Sequence, residues 1–226
     1  MKLRRRFLKA MAAAGVLGPA GIAGLIQDAL ANGKAPVAPG IHKLRGEVTV
    51  NGKPAREGQL VVPGDSIATG RGGEVVYVIG QDAFLQRENS VVSFGADVVK
   101  GLMRVVTGKI LSVFGQGART IQVSTATLGI RGTACYIEDE GEGNRARTYF
   151  CLCYGSVELT PNAAPQARET YSTKHHDRPL YLYNDPSMPK AMVPAGVENH
   201  GDDELDMLEA LVGRWRPHDA TGGSRY

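Results

Sequence analysis

The middle of the chain consists of short apolar runs separated by glycine- and proline-containing turns. From Ile41 to Leu159 these runs follow one another at a spacing of about ten residues. Asn51-Gly52 is the dipeptide most typical of a tight hairpin, and Pro63-Gly64-Asp65 marks a second turn. This pattern favours an all-β domain of short antiparallel strands, built as a sandwich, a roll or a short solenoid.

The alternation of apolar and polar residues places the individual strands. Besides a hairpin around Val48 and Val50, we predict strands at 66–69, 75–79, 83–86, 90–94, 102–107, 109–114, 120–124, 133–138, 146–154 and 156–159.

The composition of the sequence changes after Pro161. Residues 161–200 are rich in turn-forming proline, so we predict an extended arm with one strand near 180–183. Residues 201–216 have apolar residues at three-to-four spacing, which predicts a helix, followed by a tail at 217–226. The helical stripe consists of Leu205, Leu208, Leu211, Val212 and Trp215. Such a stripe packs on the sheet or docks a partner.

The first 31 residues have the order of an export signal. A basic head precedes an apolar stretch rich in Ala and Gly, and Ala29-Leu30-Ala31 offers small residues at a cleavage site. The head resembles the twin-arginine signal through Arg4, Arg5, Phe7, Leu8 and Lys9. The alternative is an ordinary secretory signal. The resemblance implies a protein that is exported already folded, is periplasmic or secreted, and keeps no membrane span after cleavage.

Removal of this signal changes the charge of the chain. The whole sequence has 26 basic and 23 acidic residues, and residues 1–31 contain five of the basic ones and one acid. The 21 basic and 22 acidic residues that remain form no positive cluster, so we expect no nucleic-acid partner. Residues 32–40 are rich in turn-forming residues and are predicted to be a linker.

Successive blocks of residues 41–160 resemble a FecR domain. The matching positions are Gly64-Asp65, Ile67, Thr69-Gly70, Gly108-Lys109-Ile110, Val123, Thr125, Ile130-Arg131-Gly132-Thr133 and Gly155-Ser156-Val157. The resemblance implies one β domain that binds a protein or envelope ligand in signalling and is not an enzyme. Because no cytoplasmic segment stands before the signal, we expect a binding module that does not relay a signal across the membrane by itself. The partner and the oligomeric state stay open.

Several motif positions have a physical reading of their own. Gly132 stands where a bend or a positive φ would suit only glycine. Arg131 is predicted to be a structural clamp that bridges carbonyls or pairs with an acid, with a plain surface arginine as the alternative. The apolar phase of the following strand flips between Leu152 and Val157, which indicates a bulge at Gly155. Phe150 and Leu152 would then face the core, and Cys151 the opposite side.

The three cysteines and a histidine pair are the candidate chemistry. Cys151 and Cys153 are one residue apart, so a disulfide between them would have to span about 6.6–7 Å and is disfavoured. Cys135 with Cys151 is a candidate disulfide, since an exported protein permits one. Cys135 is otherwise a small core residue.

A soft-metal site is the alternative use of these thiols. Cys151 and Cys153 could join His175 or His176 around zinc or copper, although neighbouring histidines on a strand point to opposite faces. His175-His176 could instead form a surface patch. We expect no other cofactor, because the chain has no phosphate-binding glycine loop and no spacing that singles out a catalytic triad.

Overall fold

The computed structural model describes residues 35–96 and 101–217, together with Gly24. Apart from Gly24, the predicted export signal, with Arg4, Arg5, Phe7, Leu8 and Lys9, lies outside the described residues, as do the first part of the predicted linker and most of the predicted tail.

The described chain is a mostly antiparallel β structure with one short α-helix, as the spacing of the apolar runs predicts. The strands are β1 (Gly40–Arg45), β2 (Val48–Val50), β3 (Lys53–Pro54), β4 (Ser66–Thr69), β5 (Glu74–Ile79), β6 (Asp82–Gln86), β7 (Ser90–Phe94), β8 (Leu102–Val113), β9 (Ala118–Gln122), β10 (Ala126–Glu140), β11 (Arg147–Pro161), β12 (Glu169–Thr173), β13 (Leu180–Tyr183) and β14 (Met192–Pro194). The helix, α1, is Asp202–Leu211.

These strands form a single sheet whose main path is β14-β13-β11-β10-β9-β8-β7-β4-β2-β3. A second path runs from β1 through β5 and β6 to β8. The pairing of β8 with β9 is parallel, and the other pairings among the described strands are antiparallel. The predicted hairpin turn is present, with φ of 51° at Asn51 and 73° at Gly52.

Two long strands, β8 and β11, bend and change partners along their length. The runs predicted as separate strands at 102–107 and 109–114 are the two halves of β8, and those at 146–154 and 156–159 are the two halves of β11. Gly108 and Gly155 lie at the bends, with φ of 92° and 98°. In the sequence these glycines resemble turns that end a strand. In the structure a glycine with positive φ bends the strand, and the ladder of hydrogen bonds continues on both sides of it.

Gly155 lies where the apolar phase of β11 changes. Phe150 and Leu152 face the same core as Val157 and Leu159, although their parities differ. The neighbouring strand β10 carries the matching irregularity, because Arg131 pairs with Ser156 and Ala134 pairs with Tyr154. Gly132 and Thr133 lie in this bulge, where Gly132 has φ of 52° and the Thr133 hydroxyl donates to the Tyr154 carbonyl.

The sheet separates two apolar cores. The first contains side chains from strands of both paths, including Ile67, Tyr77 and Phe150, so the sheet wraps around it. The second lies on the other face, where Leu205, Leu208 and their neighbours on α1 pack against the sheet. The predicted packing of the helix on the sheet is therefore observed. None of the helical segments in the described ranges has the length and apolar character needed to span a bilayer.

The helix is shorter than the predicted 201–216. It ends at Leu211, with Gly213 at φ of 73° just beyond, so Trp215 follows the helix and is 40% exposed. At its start the Gly201 amide donates to Glu204 Oε2 over 3.3 Å, which satisfies one of the free N–H groups of the first turn.

The region predicted as an extended arm adds three strands to the sheet. β12 pairs with the part of β11 beyond Gly155, β13 pairs with the part before it, and β14 pairs with β13. The prediction of a single strand at 180–183 is therefore correct for β13 and incomplete for the region. The second edge of β11 explains the difference. Without β12 and β13 its backbone N–H and C=O groups would be unpaired, and these strands provide the hydrogen-bond partners.

Two residues of the FecR-like motif, Asp65 and Arg131, differ in their contacts. Asp65 ties the turn after Gly64 to the hairpin, because its carboxylate accepts from the Val62 amide at 2.9 Å and from Asn51 Nδ2 at 2.7 Å. The clamp predicted at Arg131 is wrong: its side chain is exposed and makes no hydrogen bond or ion pair with the described residues, although its backbone belongs to the β10 ladder. Its neighbour Ile130 faces the first core, which turns Arg131 toward solvent.

One acid near the tip of the β10–β11 hairpin is shielded from solvent. Asp139 is buried, where its carboxylate accepts from the Ser124 amide at 3.0 Å, from the Ser124 hydroxyl at 2.7 Å and from Thr148. Burial raises the pKa of Asp139, and these hydrogen bonds act in the opposite direction.

Candidate metal centre

Strand β11 places Cys151 and Cys153 on the face of the sheet that α1 covers. Cys151 pairs across the ladder with Tyr136, and both cysteines are fully buried in the second core. Their shared orientation follows from the two-residue repeat of a strand. The bulge at Gly155 lies just beyond them, so the alternation holds through both thiols.

The third cysteine belongs to the other core. Cys135 pairs with Leu152 and packs in the first core, while Cys151 is in the second. Because the two side chains leave opposite faces of the sheet, the predicted disulfide between Cys135 and Cys151 is wrong. All three cysteines are free thiols.

The turn after β12 carries His176 over the two thiols. The His176 amide donates to the Cys153 carbonyl at 3.0 Å, and the residue has φ of 49°, which is unusual for a residue other than glycine. This conformation places His176 Nδ1 3.4 Å from Cys151 Sγ. The Asp177 carboxylate closes the turn by accepting from the amides of Lys174 and His175 at 2.8 and 3.3 Å.

A second histidine, His200, completes the cluster from the segment before α1. Its Nε2 lies 3.1 Å from His176 Nδ1, and its ring stacks on Tyr136 at 4.5 Å between centroids. Asn199, which precedes it, has φ of 57°. The ligand atoms of Cys151, Cys153, His176 and His200 all lie within 4.8 Å of one another.

Three of the four predicted metal ligands therefore converge, and His200 takes the place of His175. The His175 ring points away from the thiols, and its Nε2 bonds the Asp202 carboxylate at 3.0 Å. Adjacent residues project to different sides, so His175 and His176 cannot both reach the cysteines. The sequence signal for His200 was indirect: it directly precedes a helix that the apolar stripe predicted to pack on the sheet.

The outer nitrogen of each histidine ring faces an oxygen acceptor. His200 Nδ1 lies 2.6 Å from the Glu198 carbonyl, and His176 Nε2 lies 3.4 Å from Asp202 Oδ1. A carbonyl or a carboxylate can only accept, so these nitrogens carry the protons of the neutral rings. His176 Nδ1 and His200 Nε2 then direct lone pairs at each other and at the thiols. Histidines that bind metals have this outer-shell arrangement.

The thiols differ in their readiness to ionise. A hydrogen bond from Cys153 lowers the pKa of Cys151 well below its ordinary value, against the opposing effect of burial. Burial raises the pKa of Cys153, and the neighbouring Cys151 thiolate raises it further. A bound cation would stabilise both thiolates, so that the charge on Cys151 would no longer prevent Cys153 from ionising.

The dimensions of the cluster fit a tetrahedral ion. Zinc bonds of about 2.0–2.1 Å to nitrogen and about 2.3 Å to sulfur give tetrahedral edges of about 3.3–3.8 Å between ligand atoms. The observed separations of 3.1 Å between the His176 and His200 nitrogens and 3.4 Å between Cys151 Sγ and His176 Nδ1 are close to such edges. Two thiolates and two imidazoles suit zinc or copper(I).

The cluster also resembles a catalytic triad, because Cys151 contacts His176 and His176 contacts Asp202. In such a triad these residues would be the nucleophile, the base and the orienting acid. The side chain of a nucleophile must meet its substrate, and Cys151 is 0% exposed. The fourth member, His200, further covers the thiol side of His176. This enclosure favours a site that holds an ion over one that attacks a substrate.

Charged residues hold the turn that carries His200. Arg87 Nη2 donates to the Asn199 carbonyl at 3.0 Å and to Glu204 Oε1 at 2.7 Å, which joins this turn to β6–β7 and to the first turn of α1. Arg216 Nη1 lies 2.7 Å from Asp202 Oδ1 and steadies the acid behind His176. The cluster thus connects the sheet, the turn after β12 and the start of the helix.

Comparisons with known proteins give few matches. No protein-family model and no curated protein sequence matches the chain. Two crystal structures of a "putative anti-sigma factor" from Parabacteroides distasonis are similar to it, with TM-scores of 0.47 and 0.46 and sequence identities of 9% and 10%. The similar region covers 58% of this chain and 59% of each of those chains, so the match spans less than two thirds of their length.

Proposed function

We propose that this chain is a metal-binding protein whose Cys151, Cys153, His176 and His200 hold one zinc or copper(I) ion. The observation that carries the proposal is the convergence of four soft ligand atoms within 4.8 Å, with both histidines oriented by oxygen acceptors from outside. Four protein ligands leave no open coordination position, which is typical of structural sites and not of catalytic ones.

The ion would fasten three segments that the sequence separates. The cysteines belong to β11, His176 to the turn after β12, and His200 to the segment that enters α1. A metal that binds the folded chain and not the unfolded one stabilises the fold by linkage. In the predicted twin-arginine route the protein folds before export, so the site could be filled before the thiols meet an oxidising compartment.

Metal analysis of the mature protein purified from the periplasm tests this function. We expect one zinc or copper per chain, and loss of the metal in Cys151→Ser and in His200→Ala. Cys135→Ala, in the opposite core, and His175→Ala, outside the cluster, are matched controls that keep the metal. A wild-type protein that takes up neither metal during purification or reconstitution would refute the proposal.

A second candidate function is a non-catalytic FecR-type module that binds a periplasmic protein or an envelope ligand. The ordered blocks from Gly64-Asp65 to Gly155-Ser156-Val157 support it, because they fall on successive turns and strands of one sheet. A pocket of about 330 Å³ beside the first core has apolar lining from Phe84 and Phe94 and charged lining from Asp82 and Arg119, which offers room for a ligand with both kinds of group. The two functions are compatible.

Pull-down from periplasm with the metal-loaded and metal-free protein tests this second candidate. A partner that both forms retain supports a FecR-type interaction independent of the ion. A protein that retains no specific partner or ligand in either form counts against it.

A further inference from the structure

The candidate metal centre reaches the surface along one edge of the His176 ring. Cys151 and Cys153 are buried on the sheet, and Tyr136 covers a face of His200. The His176 side chain is only 7% exposed, and its Nε2 lies 3.4 Å from Asp202 Oδ1. Asp202, which is 42% exposed, is therefore the first solvent-facing group next to the centre on this side.

Asp202 shares its carboxylate with a second exposed ligand. His175 is 55% exposed, and its Nε2 lies 3.0 Å from Asp202 Oδ2 and 3.2 Å from Oδ1. The ligand atoms of His175, His176 and Asp202 lie within 4.8 Å of one another. Arg216 contacts Oδ1 at 2.7 Å, which leaves Oδ2 as the oxygen that faces the exposed imidazole.

This second set has the chemistry of a weak and open site. One carboxylate and exposed imidazole nitrogens bind a transition-metal ion with water in the remaining positions. The neighbouring Arg216 opposes a second resident cation, so an ion at Asp202 would be held loosely. A buried metal site needs an entry path, and the Asp202 side of His176 supplies one.

We propose that His175 and Asp202 form a surface capture site through which the metal ion enters and leaves the buried centre. The inference rests on the proposed metal-binding function and concerns the rate of exchange at the same site. The hydrated ion exchanges water molecules for Asp202 Oδ2 and His175 Nε2, and the Nε2 proton leaves to solvent or moves to Nδ1. The ion then passes along His176 to the thiolates. His175 takes no part in the final ligand set, so it affects the rates and not the equilibrium.

Rates of zinc binding and release by the full chain test the proposal. Stopped-flow mixing of metal-free protein with buffered zinc gives the association rate, and competition with a chelator gives the dissociation rate. We expect His175→Ala to lower both rates by about tenfold, which is the lower end of the effect that local charge has on association. Because a shared route slows entry and exit equally, the Kd should not change.

His175→Gln separates capture from positioning. Glutamine can still donate a hydrogen bond to Asp202 but is a poor zinc ligand, so it should be as slow as the alanine variant. His42→Ala, on β1, is the control and should exchange zinc at the wild-type rate.

The possible results distinguish this inference from the function on which it rests. Unchanged rates in both His175 variants would overturn the capture site and leave the metal centre in place. A faster release with a weaker Kd would also overturn it, because that result identifies His175 as a residue that merely positions Asp202. Failure of the wild-type chain to bind zinc or copper would overturn both proposals.

Discussion

His176 Nδ1 and His200 Nε2 face each other across 3.1 Å, and each ring directs its other nitrogen at an oxygen acceptor. When neither ring carries an extra proton, these tautomers direct two lone pairs at each other beside two buried thiols. A proton or a metal ion between the rings relieves this opposition. The predictions that follow distinguish the groups that would hold the ion from those that shape the fold around them.

Replacement of the acid behind His176 should weaken metal binding without abolishing it. Asp202→Asn removes the charge that orients the ring and makes its nitrogen a better ligand, so zinc affinity should fall about 10–100-fold. Competition with a chromophoric chelator measures this change. Asp203→Asn is the matched control, because Asp203 lies in the same helical turn, is exposed and does not contact His176. Equal affinity of the two variants would contradict the assigned role of Asp202.

The metal-free protein should contain one thiolate at neutral pH. Hydrogen bonding from Cys153 places the pKa of Cys151 below its unfolded value of about 8.5. The stability from this thiolate is fully present above the unfolded pKa and is lost as the pH falls through the lower folded pKa.

Thiolate absorbance and unfolding measurements between neutral and mildly alkaline pH test this prediction under reducing conditions. Cys151→Ser should abolish the thiolate signal, and its stability deficit relative to wild type should grow as the pH rises. Cys135→Ala should keep the signal, because burial raises the pKa of Cys135. A deficit that shrinks with rising pH would contradict the direction of the shift.

The bulge that keeps both thiols on the helix-covered face should depend on glycine at position 155. A Cβ there would lie 2.6 Å from the Thr133 Cβ, and φ of 98° is strained for any other residue. Gly155→Ala should lower the free energy of unfolding by roughly 1–3 kcal/mol, measured by urea denaturation. Gly129→Ala, where a Cβ would meet Glu158 at an ordinary 3.7 Å, should cost less. Equal costs would argue against the bulge.

Arg131 should contribute little to stability although it belongs to the FecR-like motif. Its side chain is exposed and makes no hydrogen bond with the described residues, so Arg131→Ala should change the free energy of unfolding by about 0.5 kcal/mol or less. Arg87→Ala is the contrast, because Arg87 bonds Glu204 and the Asn199 carbonyl. Thermal or urea unfolding of both variants decides this point. A larger loss of unfolding free energy in Arg131→Ala would support the predicted role of Arg131 as a structural clamp.

Much of the strand pattern could be predicted because each strand keeps its alternation between turns. β4 and β7 have the predicted bounds, and the phase flip at Gly155 was visible in the sequence. The sequence did not show that β8 and β11 are each one continuous strand, because a glycine with positive φ resembles a turn in the sequence and acts as a bend in the sheet.

The site was only partly predictable, because it depends on tertiary contacts. The spacing of Cys151 and Cys153 fixed their common face, and the adjacency of His175 and His176 indicated that one would turn away. His200 lies 47 residues beyond Cys153, and the packing of α1 brings it to the thiols. Cys135 looked like a disulfide partner because the register of the hairpin cannot be read from the sequence. In the structure Cys151 pairs with Tyr136 and Cys135 with Leu152, and this offset of one residue puts the two cysteines on opposite faces.

X-ray absorption spectroscopy at the metal edge of the loaded protein tests the central claim most directly. The four-ligand centre predicts two sulfur atoms at about 2.3 Å and two imidazole nitrogens at about 2.0–2.1 Å if the ion is zinc. His175→Ala, which changes a residue outside the four-ligand set, should leave this shell intact. A shell of oxygen ligands, or one without sulfur, would contradict the assignment of Cys151, Cys153, His176 and His200 as the metal centre.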